Sequence, residues 1–365
     1  MNKMIFANLV HRPVRSLISI VAIAVEVTLI LLIVGLSLGM LNDAKSRTVG
    51  VGADLMVQPP GSSNLMGISG APVPMKIADV LRKLPHVAVV SPVVWQLSTS
   101  GALELIDGID ETYEQLRPFQ YLSGGPMQNP YDALVDDYVA TSKNIKVGDP
   151  INILNHEFHV SGIVMNGKGA RKFVPMATLQ DLIGAPGKAS IFYVKVDNPA
   201  NINAVKDEVL KLPGMSQYKV ITMEEYLSMM TASSLPGLKQ FIMVVIGVAV
   251  IIGFIVIFQA MYTAVMERTR EIGILKSMGA SKFYIVNVIL RETVVLAIGG
   301  IIAGIALSML ARRGIHAKLP TLPIQIQADW ILYAIIIAVV GAILGALYPA
   351  FKAAQKDPIE ALAYE

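Results

Sequence analysis

The chain has 365 residues, of which 54% are hydrophobic and only 16% charged, with a formal net charge of +3; an ordinary soluble domain has about 25% charged residues. Together with a mean hydropathy of +0.58, this excludes a disordered chain, which needs low hydrophobicity and high charge, and argues against a plain soluble enzyme. There is no cysteine, so the chain has no disulfide framework, no thiolate metal site and no cysteine nucleophile.

The charges are unevenly spread. Residues 42–240 hold 17 basic and 19 acidic side chains, and the remainder holds 13 and 8. The basic excess therefore lies beside the apolar runs, which suits a membrane protein and not a nucleic-acid binder with a basic patch on a polar domain.

Residues 1–16 carry Lys3, Arg12 and Arg15 and precede Leu17–Leu41, 25 residues with a single charge, Glu26. A bilayer core of about 30 Å needs roughly 20 helical residues, so this run spans it. It is too long for the apolar region of a signal peptide, about 7–15 residues, and no A-x-A cleavage site follows. Glu26 leaves two readings open: a substrate-path or coupling residue, or a carboxyl at a helix–helix contact. The second is favoured, because intramembrane acids are costly and face a bundle interior.

Residues 42–240 mix strand and helix patterns and read as an extracytoplasmic α+β domain. Met75–Leu84 has helical spacing, Val87–Leu97 and Ile191–Val196 are β-rich, and Asn201–Leu212 is an amphipathic helix closed by Pro213-Gly214. Ile151–Val164 alternates as a hairpin around Asn155. The stretch from Pro59 to Pro74 reads as a loop. Chemistry is scarce. Gly184-Ala-Pro-Gly187-Lys188 and Gly167-Lys168-Gly169 lack the spacing of a phosphate-binding loop. His156 and His159, three apart on a strand, point to opposite faces, so no metal site is expected. No catalytic site is expected either.

Phe241–Val265 is a second membrane run of 25 uncharged residues. Residues 266–282 follow, charged at the start and apolar toward the end. Glu271, Leu275 and Met278 share a helical face. Gly273 lacks a side chain in mid-helix, at a cost of about 1 kcal/mol relative to Ala, which suits close approach of another surface. Gly279 fits a C′ position and Ser281 an N-cap. Residues 283–311 form the third membrane helix, with an interfacial start before the uncharged run Thr293–Ala311. Residues 312–329 form a short loop, 330–350 the fourth helix and 351–365 a tail, in which Asp357 can cap a short helix, Pro358 suits its first turn and Glu360 completes a capping box. Three GxxxG pairs, Gly35/Gly39, Gly300/Gly304 and Gly341/Gly345, predict tight helix packing, including packing within a dimer. Nine basic residues in the segments 1–16, 266–282 and 351–365 place both termini on the cytoplasmic side, with residues 42–240 outside the cytoplasm.

The segment Glu267–Ala280 (E-R-T-R-E-I-G-I-L-K-S-M-G-A) and the tail Pro349–Leu362 (P-A-F-K-A-A-Q-K-D-P-I-E-A-L) resemble the FtsX-like, MacB-type family of ABC transporter permeases, which includes MacB, LolC and LolE, and FtsX. The order of one helix, a large domain and three helices is also similar. The resemblance implies that Glu267, Arg268, Glu271, Ile272, Gly273, Leu275, Lys276 and Gly279 form a coupling helix that docks on an ABC ATP-binding subunit. With about sixteen residues ahead of the first membrane run, that ATPase is expected on a separate chain. It would bind ATP and magnesium, leaving this chain without a cofactor or enzymatic activity. The resemblance further implies a second permease chain, identical or not, work by mechanotransmission in the bilayer, and for an exporter a membrane-fusion adaptor. The alternative it allows is a transmembrane regulator that relays ATPase state to an extracytoplasmic enzyme.

Overall fold

The computed structural model describes residues 13–62, 71–98, 104–231, 233 and 237–357. It divides into two compact units. The membrane unit comprises residues up to Gly39, Gly237–Ala317 and Ile324 onward; the extracytoplasmic unit comprises Met40–Pro236 with Lys318–Pro323.

Four helices in the described residues are long and apolar enough to cross a membrane. They are α1 (Pro13–Gly50), α8 (Leu238–Glu267), α10 (Lys282–Lys318) and α11 (Ala328–Gln355). Their sequences are rich in Val and Ile, which favour strands in water. In hydrocarbon the backbone has no water to bond, so only a structure that satisfies its own N–H and C=O groups is stable, and the helix prevails. At 1.5 Å per residue the 37 residues of α10 span about 55 Å, well beyond a bilayer core. Helix geometry thus outruns the apolar runs at most ends. The expected loop 312–329 contracts to residues 319–327, and α1 continues nine residues past Leu41.

Between α1 and α8 lies an α+β fold. Its elements are β1 (Leu55–Gln58), β2 (Val73–Pro74), α2 (Lys76–Leu81), β3 (Val87–Ser98), β4 (Glu104–Ile109), α3 (Glu111–Leu116), β5 (Tyr121–Gly124), β6 (Asp132–Asp136), α4 (Asp137–Lys143), β7 (Pro150–Ile153), β8 (His156–Val164), β9 (Lys172–Pro175), α5 (Met176–Leu182), β10 (Lys188–Ala189), β11 (Ile191–Val196), α6 (Ile202–Lys211), β12 (Lys219–Thr222) and α7 (Met223–Met229). Ten strands form one sheet in the order β12-β1-β11-β3-β4-β9-β6-β8-β5, with β7 beside β8. Strand β3 serves two halves: Val87–Val93 pairs with β11, and Val94–Ser98 pairs with β4. Pairs β4–β9 and β6–β8 are parallel and the rest antiparallel. The expected hairpin around Asn155 is β7–β8, with Leu154 and Asn155 both at positive φ, as a tight turn requires.

Side-chain alternation fills both faces of the sheet. Leu55 and Val57 join Phe192, Val194, Val205 and Val209 on one face. Met56 joins Tyr113, Phe173 and Tyr193 on the other. The loop expected from Pro59 to Pro74 ends in β2, which pairs with β10; its residues 63–70 lie outside the described residues.

Candidate functional site

The segment between α8 and α10 is built from helix ends. Helix α8 stops at Glu267, where Arg268 leaves helical geometry (φ −107°, ψ 18°). The Thr269 hydroxyl donates to the carbonyls of Met266 (2.8 Å) and Val265 (3.3 Å), adding to the Arg268 amide that already donates to Val265 O at 3.2 Å. A separate helix, α9 (Thr269–Ser277), follows. It closes as a Schellman motif: the Gly279 amide donates to Lys276 O and the Ala280 amide to Leu275 O, both at 3.0 Å. Gly279 sits at φ +95°, where a side chain would be strained. Ser281 Oγ then accepts from the Tyr284 amide at 3.2 Å and caps α10. The turn chemistry expected at Gly279 and Ser281 is present.

The orientation of α9 corrects one expectation. Thr269, Ile272 and Gly273 are buried within this chain. Gly273 was expected to meet a partner surface; in this chain it lies on the inward side of α9 with Thr269 and Ile272. Two of the expected docking cations also turn inward. Arg268 donates to Glu292 Oε2 of α10 at 3.0 Å, and Lys276 donates to Ala354 O at 3.0 Å and to Lys356 O at the end of α11. Glu271 is exposed, as is Glu267 at the end of α8, and Leu275 is half-buried. The outward face of α9 consists of Arg270, Glu271, Ile274 and Ser277, continued by Met278, with Ile274 43% and Met278 71% exposed. Ile274 and Glu292 were not singled out in the sequence. A clue to Glu292 was its place as a lone acid at the very edge of an uncharged run, where a buried partner is needed.

The tight helix packing expected of the glycine pairs is seen within this chain at Gly300, Gly304 and Gly345. Gly300 and Gly304 of α10 lie against α1. A Cβ on Gly300 would come 2.8 Å from Ile23 Cγ2, and one on Gly304 would come 2.8 Å from Ala24 O. The Thr28 hydroxyl donates to Gly304 O at 3.1 Å across this contact. Gly345 of α11 faces α8, with Phe254 O 3.1 Å from a Cβ placed there. Gly35 accepts from the Gln325 amide at 2.9 Å, and Gly39 is buried in α1. Glu26 is 3% exposed and its carboxylate fills the space left by the absent side chain of Gly253 of α8, with Gly341 of α11 nearby. A Cβ on Gly253 would overlap its carboxylate. The helix–helix contact is as expected, but Glu26 Oε1 is buried without a hydrogen-bond partner. In the tail, Asp357 is described, whereas Pro358 and Glu360 lie outside the described residues.

In the extracytoplasmic unit the last turns of α1 are bonded to the loop before β9. Asp43 accepts from Arg47 (3.0 Å) and Arg171 (2.9 Å), and Arg171 reaches Asp136 at 2.8 Å. Arg47 also donates to Gly169 O at 2.9 Å, and its own carbonyl accepts from the Gly169 amide at 2.9 Å. Gly50 lies so close to Gly167 that a Cβ there would overlap the Gly167 carbonyl. The Gly167–Gly169 stretch therefore grips the end of a helix. Beneath it, Lys168 Nζ lies 4.5 Å from the Tyr113 ring centre and 3.9 Å from that of Phe119 and donates to Arg117 O. Burial pulls this lysine down to about 7 and pushes the Asp107 carboxyl up to about 7. His156 and His159 are both exposed on β8.

Much of the sequence matches known proteins. Residues 16–212 match the family described as the MacB-like periplasmic core domain, and residues 243–358 match the FtsX-like permease C-terminal family. The macrolide export ATP-binding/permease protein MacB of Bdellovibrio bacteriovorus is 25% identical over 398 residues, covering 99% of this chain and 61% of its own length. The ABC transporter permease YknZ of Bacillus subtilis is 31% identical over 230 residues, covering 60% and 55%. The chain thus spans somewhat over half the length of these relatives. The solved periplasmic region of MacB from Actinobacillus actinomycetemcomitans is 14% identical with a TM-score of 0.38, covering 48% of this chain and 92% of that one. Since the periplasmic core match alone takes in more than half of the residues and the C-terminal match covers α9 and the three helices around it, the chain belongs to the FtsX-like, MacB-type family of ABC transporter permeases.

Proposed function

We propose that the chain is the membrane subunit of an ATP-driven ABC transporter and that a separate ATP-binding subunit docks on the outward face of α9. The observation that carries this reading is the exposed set Arg270, Glu271, Ile274 and Met278 on a short helix slung between two membrane helices. An apolar centre ringed by charge is the composition of a protein–protein contact. ATP and magnesium would be held by that partner, and hydrolysis would take place there, with no cofactor or enzymatic step on this chain. The basic residues Arg268, Arg270, Lys276 and Lys282 support a reading in which α9 and both termini lie on the cytoplasmic side of a bacterial inner membrane. Nucleotide-driven movement of α9 would pass along the membrane helices to the extracytoplasmic domain, into which α1 runs without a break. A second permease chain would complete the complex, and an exporter of this kind would hand its substrate to a membrane-fusion adaptor.

The test is co-purification in detergent of the native ABC ATPase with variants of the outward face. Glu271→Lys and Ile274→Glu should each reduce the ATPase recovered, with Ile274→Glu the stronger because it places a charge at the apolar centre. Full ATPase recovery and turnover with both variants would refute docking on α9.

A further inference from the structure

Nine residues are too few for a helix to hold its own direction in water, where segments under about 12–15 residues are marginal. Whatever α9 is tied to therefore sets its orientation. One tie is at each end. At the start, Arg268 stands where α8 gives way to α9, and its guanidinium reaches Glu292 of α10. The two side chains are only 13% and 8% exposed, so water screens the pair little. At the other end, Lys276 donates to Ala354 O and Lys356 O. These carbonyls belong to the C-terminal end of α11, where the helix lacks donors and its dipole is negative, so an ammonium is favoured there. Beside the first tie, among α8, α9 and α10, a cavity of about 60 Å³ remains, lined by Arg268, Ile272, Leu275, Ile285, Ile289 and Glu292. Apolar packing between the start of α9 and α10 is thus incomplete where the Arg268–Glu292 pair sits.

We propose that Arg268 and Lys276 are positioning residues that lock α9 to α10 and α11 together, so that one displacement of α9 moves both helices. Neither touches the docked partner; they act through the helix they hold. The role rests on the reading of α9 as the docking segment, but the locking itself can be measured without a partner.

The native chain has no cysteine, so Ser277→Cys and Leu310→Cys introduce two unique spin-label sites, both exposed. The full chain in lipid nanodiscs should give a narrow distance distribution by pulsed electron paramagnetic resonance. Glu292→Gln and Lys276→Met should each broaden it. The exchanged pair Arg268→Glu/Glu292→Arg should restore it, and Lys276→Arg, which still donates, should keep it narrow. In the same variants the native ATPase should still co-purify, because the outward face is intact, while its stimulation by the chain is lost in Glu292→Gln and recovered in the exchanged pair. An unchanged distribution in both Glu292→Gln and Lys276→Met overturns the proposal, and so does a broadening that neither the exchange nor Lys276→Arg reverses. Stimulation that survives a broadened distribution also overturns it. If no ATPase binds the wild-type chain, the docking reading fails, and the label distances still decide whether the ties hold.

Discussion

Where α10 meets α1, two backbones come together at Gly300 and Gly304 because no side chains stand between them. Where the end of α1 meets the extracytoplasmic fold, Asp43, Arg47, Arg171 and Asp136 form a chain of ion pairs, and the absent side chain of Gly50 admits the Gly167 carbonyl. The difference follows from the two solvents. In lipid, burying apolar surface gains nothing over lipid tails, so close van der Waals contact and backbone approach hold helices together. Beside water, apolar burial builds the sheet core, and partly buried charges are stable when each is paired and hydrogen-bonded. In the membrane unit the ion pair Arg268–Glu292 lies at the bend into α9, not in the middle of the bundle.

This contrast can be broken at its strongest point first. Arg171→Met leaves Asp136, which is 2% exposed, without its guanidinium. Loss of one partner of a buried pair costs about 3–5 kcal/mol. Hydrogen exchange at residues 43–50 and in β6 should accelerate accordingly, and unchanged exchange would mean that packing alone holds the end of α1. In the membrane unit, Gly300→Ala should cost about 1–3 kcal/mol, because its new Cβ must displace Ile23. Gly341→Ala has nothing nearer than 4.0 Å and gains helix propensity, so it should be neutral or stabilising by up to about 1 kcal/mol. Thermal unfolding in detergent compares the two, and equal costs would remove close packing as the explanation.

A third prediction concerns pH in the extracytoplasmic unit. Burial raises Asp107 from its ordinary 3.8 to about 7. The fold therefore binds this proton more tightly than the unfolded chain does. Its stabilising contribution is complete below pH 3.8 and is lost as pH rises through about 7. Lys168 runs the other way: burial lowers it from 10.5 to about 7, so its charge opposes folding below about 7 and that penalty fades as pH rises toward 10.5. Asp107→Asn should therefore gain on wild type as pH rises from 5 to 8, read by exchange in β4. Lys168→Met should gain as pH falls over the same range. A constant difference in either variant would show that its group does not titrate there.

The smallest effect is expected at Glu26. Glu26→Gln keeps shape and volume and should leave stability and complex assembly unchanged. Gly253→Ala should destabilise the wild-type chain, where its Cβ meets the carboxylate, and do so less in a Glu26→Ala background. An assembled but inactive Glu26→Gln complex would instead assign the acid to a substrate path or to coupling.

Much of this was legible in local residues. The hairpin at Asn155, the strand at Ile191–Val196, the helix closed by Pro213-Gly214 and the turn at Gly279 depend on residues within a few positions of each other. The short strands β1 and β6 were not legible, since four or five buried apolar residues do not distinguish strand from helix by period. Nor was the direction of Arg268 and Lys276. A cation near a membrane boundary serves equally well against a partner or against a helix end of its own chain, and nothing nearby in the sequence separates the two.

The sequence by itself determined the four membrane helices, their order, the α+β character of the large segment between the first two, and the family. Apolar run length against bilayer thickness, strand alternation and turn residues are one-dimensional quantities. Only the tertiary structure decided that Gly273 faces inward and Ile274 outward, that Gly300, Gly304 and Gly345 seat helices of the same chain, and that β3 joins two halves of one sheet. It also decided that Arg268 and Lys276 are spent on α10 and α11. These outcomes depend on which surfaces meet across separations such as the 78 residues between Lys276 and Ala354, and a periodic pattern specifies that a face is buried without specifying what buries it.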